Sequence, residues 1–199
     1  MIVKVAIKDE PAVEEILIKA KEVFQLYGFK KTTMEDIARS MGKGKSTLYY
    51  YFTSKEDIFE QVVDAEMAHF FADIEKAIDK ASSAREKLKA YCRVRMKKIE
   101  KMCNLSHALR NDMIESMAII LEIKRKHETR HIDLVRSIFE FGVREREFKK
   151  MTALETERFS NLFVTLFKGM ELPACIIHPS DQQEMTDFMV DMMIEGIGR

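Results

Sequence analysis

Seven glycines and three prolines are the strong chain breakers in 199 residues. A chain this poor in both has few places to turn, because glycine opens left-handed backbone and proline removes an N–H donor. What it can form is long helices. The apolar residues agree, recurring at three- and four-residue spacings, the period of one helix face. At 46% hydrophobic and 33% charged, the chain has the composition of a globular protein with ample length for a core. The expectation is an all-α fold of about nine helices.

The first helix is predicted to start at Pro11, with Ile16, Ala20, Val23, Phe24 and Tyr27 on one stripe and Gly28 at its end. Thr33 then suits an N-cap, and Asp36 stands at the third helical position, where it can complete a capping box. Ile37, Ala38 and Met41 give this second helix its apolar face. Gly42 and Gly44 stop it. A third short helix begins at Lys45, with Leu48 and Phe52 turned inward at i, i+4. Lys45, Ser46, Thr47, Tyr49 and Tyr50 are left outside. That face carries a cation, hydroxyls and phenols but no carboxylate, which suits a polyanion: such groups bond phosphates or base edges. A helix of this size fits a major groove. Residues 28–55 hold Lys30, Lys31, Arg39, Lys43, Lys45 and Lys55 against Glu35 and Asp36, whereas the whole chain balances 33 basic with 33 acidic residues. A basic patch on a neutral protein marks one docking face.

The run Gly42-x-Gly44-Lys45-Ser46-Thr47-Leu48-Tyr49-Tyr50-Tyr51-Phe52-x-Ser54-Lys55-Glu56 resembles the DNA-binding signature of the TetR family of bacterial transcriptional repressors. The preceding Tyr27-Gly28-Phe29-x-x-Thr32-Thr33 and Ile37-Ala38 resemble it too. Two positions depart. Lys43 stands where the family usually has a small apolar residue, and either weakens the turn's packing or adds a phosphate contact. Tyr50 stands where His is common. The resemblance implies an N-terminal three-helix helix-turn-helix DNA-binding domain at 1–53 and a helical regulatory and dimerisation domain at 54–199. It implies a homodimer on a palindromic double-stranded DNA operator, with recognition helices about 34 Å apart. It implies release by a small-molecule inducer, apolar or amphipathic, that tilts the helix beginning after Ser54. On this reading Thr33, Tyr50, Tyr51 and Lys55 hold phosphates, Lys45, Ser46, Thr47 and Tyr49 face the bases, and Lys43 and Gly44 form the turn. No catalytic residue, metal or cofactor is called for.

Ser54 is predicted to cap a long fourth helix, with Asp57 completing a box and Phe59, Val62, Val63, Met67, Phe70, Ile74 and Ile78 along its stripe. Five more helices are expected near 84–103, 105–117, 119–146, 153–170 and 181–196. The basic run Arg93, Arg95, Lys97, Lys98 and Lys101 is interleaved with Val94, Met96, Ile99 and Met102, and is read as a solvated face. His127-Glu128-Thr129-Arg130-His131 matches H-E-x-x-H, the zinc hydrolase pattern. Its flanks, Lys124-Arg125-Lys126 and Asp133, are charged, and Arg130 sets a cation between the two histidines. A solvated helix with i, i+4 pairs is the better reading of it.

Methionine and phenylalanine concentrate in the second half. They form either a plain helical core or the lining of an adaptable apolar pocket. The candidate lining is Met96, Met113, Met117, Phe139, Phe163 and Phe167, with His107, Arg110 and Asn111 as polar anchors. Phe159, Leu162, Leu166, Met170, Phe188, Met189, Met192 and Met193 make the last two helices apolar over more than one face, as a dimer interface requires. The alternative to a DNA-binding regulator is a helical module that uses these faces to hold a protein partner. Cys92, Cys103 and Cys175 form no disulfide framework and are expected as reduced thiols. No run approaches the ~20 apolar residues of a membrane span, and Met1–Ile7 is too short for a signal peptide. A cytoplasmic protein is expected.

Overall fold

The structure, a computed structural model, describes the backbone of residues 10–105, 117–171 and 179–198 and the side chains of 10–98, 125–169 and 183–198. Eight helices lie within these residues: α1 (Glu10–Tyr27), α2 (Met34–Ser40), α3 (Lys45–Tyr51), α4 (Lys55–Asp79), α5 (Ala84–Leu105), α6 (Met117–Arg144), α7 (Ala153–Glu171) and α8 (Pro179–Ile197). The all-α expectation holds. The helices predicted in the second half lie within two residues of the observed bounds, except for that at 105–117, most of which falls outside the described residues. No strand occurs among the described residues; one isolated bridge joins Phe148 to Gly198.

Two compact units result. In the first, Ile16, Ala20, Val23 and Phe24 of α1 pack with Met34, Ile37 and Ala38 of α2, and with Leu48 and Phe52 of the α3 segment. Ile58 and Val62 of α4 complete this core. The first half of α4 therefore packs with the helix-turn-helix, and within α4 the first compact unit runs to Ala68 and the second begins at His69. Phe24, Phe29 and Phe59 form an aromatic cluster with centroids 4.7–5.9 Å apart. The cap of α4 differs from the expected one. Ser54 Oγ accepts from the Asp57 N–H at 3.1 Å, but the Asp57 carboxylate accepts from the Thr53 N–H at 3.0 Å and the Thr53 hydroxyl at 3.3 Å.

The second unit is built on Phe70, Phe71, Ile74 and Ile78 of α4, Leu88, Tyr91, Cys92 and Met96 of α5, Val135, Ile138 and Phe139 of α6, Phe163 and Phe167 of α7, and Val190 and Ile194 of α8. Gly142 brings α6 against the chain that follows: a Cβ there would run into the Phe148 ring and come within 2.8 Å of the Ala84 methyl. Glu147, in the turn beyond α6, caps α5 by accepting the Ala84 N–H with both carboxylate oxygens at 2.9 Å. Along α5 and α8, Arg93 pairs with Asp187 at 2.6 Å and Lys89 with Asp191 at 2.9 Å. Cys92 is buried, and burial pushes its thiol well above the ordinary range, so it is an unreactive core residue.

Candidate nucleic-acid interface

The site begins with the capping box of α2. Asp36 N–H donates to Thr33 Oγ1 at 3.2 Å, while the Thr33 N–H and hydroxyl donate to the Asp36 carboxylate at 2.9 and 2.7 Å. Those two donors, helped by Arg39, hold the Asp36 carboxyl below its usual range. The other end of α2 closes through Gly42, whose φ of 64° lies in the left-handed region. Gly42 N–H reaches Arg39 O and Lys43 N–H reaches Ala38 O, both at 3.0 Å. This double bond is the Schellman closure, which satisfies the last carbonyls of the helix and turns the chain into α3.

α3 is fixed from below and open above. Leu48 and Phe52 are buried to 0% and 1% exposure. Gly44, Lys45, Ser46, Tyr49 and Tyr50 are exposed, Thr47 and Tyr51 half-buried. Tyr50 is 71% exposed, a large aromatic surface left in water. Lys45 Nζ lies 5.7 Å from the Tyr49 ring centroid, and the rings of Tyr50 and Tyr51 meet edge to face at 4.9 Å. The α3 face thus keeps its cation, hydroxyls and phenols together, and the helix has no acidic residue in its first turn. Of the five residues expected to face outward, Lys45, Ser46, Tyr49 and Tyr50 do so, and Thr47 is half-buried.

Two of the expected residues bond to neighbouring parts of the chain. Lys43 reaches back to α1 and pairs with Glu15 at 2.6 Å. Lys55 Nζ donates to the carbonyls of Phe29, Lys30 and Thr32 at 2.9, 3.2 and 3.1 Å and sits 4.5 Å from the Phe29 ring centroid. Its three protons hold the loop between α1 and α2. Thr33, expected at a phosphate, is exposed with its hydroxyl in the capping box.

In the second unit Met96, Phe139, Phe163 and Phe167 are all buried. His107, Arg110, Asn111 and Met113 lie outside the described residues, as do the side chains of Met117 and Met170. The basic run is not one solvated face. Lys97 is exposed, but Arg95 is 4% exposed. Its Nη1 donates to the Tyr91 hydroxyl oxygen at 2.7 Å. The same hydroxyl is hydrogen-bonded to Nδ1 of His131, 3.1 Å away. The spacing held the signal: Ala84, Leu88 and Tyr91 set a four-three stripe whose next position is 95. Tyr91 itself went unread. The H-E-x-x-H helix face is likewise not solvated as a whole. His131 is buried among the rings of Phe71, Tyr91 and Phe70, at centroid distances of 4.7, 5.9 and 6.0 Å. Burial first, then the charges of Arg95, Lys168, His127 and Arg130, push it down to about 3. Glu128 is paired with Lys168, and Arg130 with Glu75 at 2.9 Å. A dication would enter a field that already disfavours one proton, with Glu128, the base of that pattern, held by Lys168.

Of the expected dimer residues, Leu162, Leu166, Phe188 and Met192 are exposed, with Phe188 at 66%. Phe159, Met189 and Met193 are half-buried. Exposed Met185 extends the apolar surface of α8. Among the described residues, no helix is long and apolar enough to cross a membrane.

Residues 16–62 match the family model described as bacterial regulatory proteins, tetR family. The chain is 32% identical over 68 residues to an uncharacterised helix-turn-helix transcriptional regulator, YfiR, of Bacillus subtilis, covering 34% of this chain and 33% of the relative. It is 37% identical over 75 residues to the transcriptional repressor KstR2 of Mycolicibacterium smegmatis, covering 38% and 37% of the two chains. The chain thus spans about a third of the length of these curated relatives. A transcriptional regulator from Cytophaga hutchinsonii superposes with a TM-score of 0.72 at 28% identity, covering 94% of this chain and 99% of that one. A TetR regulator from Haloarcula marismortui, at 16% identity, shares the fold over 96% of this chain and 100% of its own, with a TM-score of 0.73.

Proposed function

We infer, from its membership of the TetR family of bacterial regulatory proteins, that this chain is a DNA-binding transcriptional regulator. Its work is binding, without bond chemistry. The observation that carries this reading is α3: a short helix pinned by two fully buried side chains, presenting Lys45, Ser46, Tyr49 and Tyr50 to solvent. Lys45 and the hydroxyls bond phosphate or base-edge acceptors, and the exposed phenols add apolar contact with thymine methyls. The protein acts as a homodimeric repressor on a palindromic operator. The exposed apolar residues of α7 and α8 support the pairing. Isologous contact through these helices would match operator symmetry. A small apolar or amphipathic molecule held in the second unit lowers operator affinity, and by linkage the operator lowers that molecule's affinity by the same factor.

The test is binding to the DNA upstream of the protein's own gene at two salt concentrations, with wild type, Lys45→Ala and Tyr49→Ala. Tight, salt-sensitive binding that both variants lose supports the regulator. Weak binding that is equal in wild type and variants would remove α3 as the reading element.

A further inference from the structure

We propose that Glu15 of α1 is a positioning residue for DNA binding. Its carboxylate holds the Lys43 ammonium away from the phosphate backbone and so weakens the sequence-independent part of the affinity. The proposal rests on the reading of α3 as the helix that meets DNA.

The turn between α2 and α3 fixes where the Lys43 side chain starts. Gly42 takes the left-handed backbone, the Lys43 N–H donates to Ala38 O at 3.0 Å, and Gly44 is the extended N-cap of α3. From this turn the side chain runs to α1, where Nζ donates to a Glu15 carboxylate oxygen at 2.6 Å. Lys19, one turn further along α1, is paired with Glu22 at 2.8 Å instead. The pairing of Glu15 is thus across elements, from the first helix to the turn that feeds the third.

That turn is where a lysine would matter for DNA. In helix-turn-helix docking the N-terminal residues of the second helix meet base edges. The residue before the N-cap then stands at the rim of the groove, where the phosphates are. A lysine free at this point adds a phosphate contact. Held by Glu15 it adds none, and moving it to a phosphate strands a carboxylate beside a polyanion. The pair is open to water, with side-chain exposures of 35% for Lys43 and 50% for Glu15, so it does little as a strut. Its effect falls on the polyanion that approaches. Other cations of the same patch are also engaged within the chain: Arg39 pairs with Glu35 at 3.1 Å, and Lys55 is bound to three loop carbonyls. A larger share of the affinity is therefore left to Lys45, Ser46, Tyr49 and Tyr50, the exposed side chains of α3.

The test is fluorescence-anisotropy titration of the full chain across a series of salt concentrations. The probes are a duplex from upstream of the protein's own gene and a duplex of scrambled sequence. The samples are wild type, Glu15→Gln, Lys43→Ala, the double variant, and Glu14→Gln, which removes the same charge from the exposed position next door. Glu15→Gln should bind the scrambled duplex roughly fivefold or more tightly at ~0.1 M salt, with a log–log salt slope steeper by about 0.9 for each protomer bound. Lys43→Ala alone should keep the wild-type slope, and the double variant should lose the gain. Glu14→Gln should give a smaller gain. A strut between α1 and the turn would change stability and leave the salt slope alone. Four outcomes overturn the proposal: no gain in Glu15→Gln, a slope flattened by Lys43→Ala alone, a gain that survives in the double variant, or an equal gain in Glu14→Gln. The two duplexes separate this from the regulator reading. Preference for the upstream duplex with no effect of Glu15→Gln sinks only the role of Glu15. A Lys43-dependent gain with no preference between the duplexes sinks only the reading of that DNA by α3.

Discussion

Tyr49 and Lys55 lie six positions apart and serve different ends. Tyr49 is exposed on α3, whereas Lys55 is tied to three carbonyls of the preceding loop. Tyr49→Ala should leave stability within about 0.5 kcal/mol of wild type and weaken operator binding directly. Lys55→Met should cost about 1–2 kcal/mol, because a charged donor leaves three acceptors behind. Any DNA defect in that variant should follow from the slack loop. Urea denaturation beside a DNA titration separates the two; a Lys55→Met protein of unchanged stability would return that lysine to the DNA face. His131 gives a pH prediction. Its folded-state pKa, about 3, is below the ordinary 6.5, so the neutral form is what the fold stabilises. That stability is complete above pH 6.5 and is lost as pH falls from there towards 3, since the unfolded chain takes up a proton that the folded chain refuses. Between pH 7 and pH 5 the loss should be about 2 kcal/mol. His131→Gln should flatten this part of the urea-midpoint profile, and an unchanged slope would assign it to other groups.

At the scale of elements, helix ends are where physics is local and the sequence can be read. The Thr33–Asp36 box and the glycine closure of α2 each depend on residues within five positions, and both are found as expected. Ser54 caps α4 as expected, but the return bond of its box goes to Thr53, because Thr53 and Ser54 both offer groups that Asp57 can reach. Which face of a helix is buried is a less local matter. The stripe of α4 takes in Phe59 and leaves out Ile58, yet Ile58 is the fully buried one, packed with α1, α2 and α3 residues that the helix's own period does not reveal. Arg95 and His131 are of residue types usual at the surface, so the pattern places them in solvent, although Arg95 stands in a buried register. The closeness of α6 to Phe148 was invisible, because it depends on what a glycine lacks. Gly142→Ala should destabilise the second unit by about 1–3 kcal/mol, the usual cost of overpacking. Adding Phe148→Leu should make the pair cost less than the sum of the singles, as contacting sites do. Additive losses measured by denaturant unfolding would mean that the two positions do not meet.

For the whole molecule, the proposed operator symmetry depends on pairing through α7 and α8. Phe188→Glu with Met192→Glu places charge on their most exposed apolar residues and should convert a dimer to monomers in sedimentation, with operator affinity falling alongside. A dimer that persists in the double variant would move the interface elsewhere. α4 bears on the ancestry of such a protein. It is a single 25-residue helix whose first half completes one core and whose second half enters another. A gene cut at the first residue of that helix would hand on a first unit lacking Ile58 and Val62. One cut near Ala68 must rejoin two half-helices in phase, because a single added residue turns all that follows by about 100°. The two units are thus hard to inherit apart: recombination between relatives has to keep the residue count of α4, and new second units should arise more readily by substitution beyond it than by exchange.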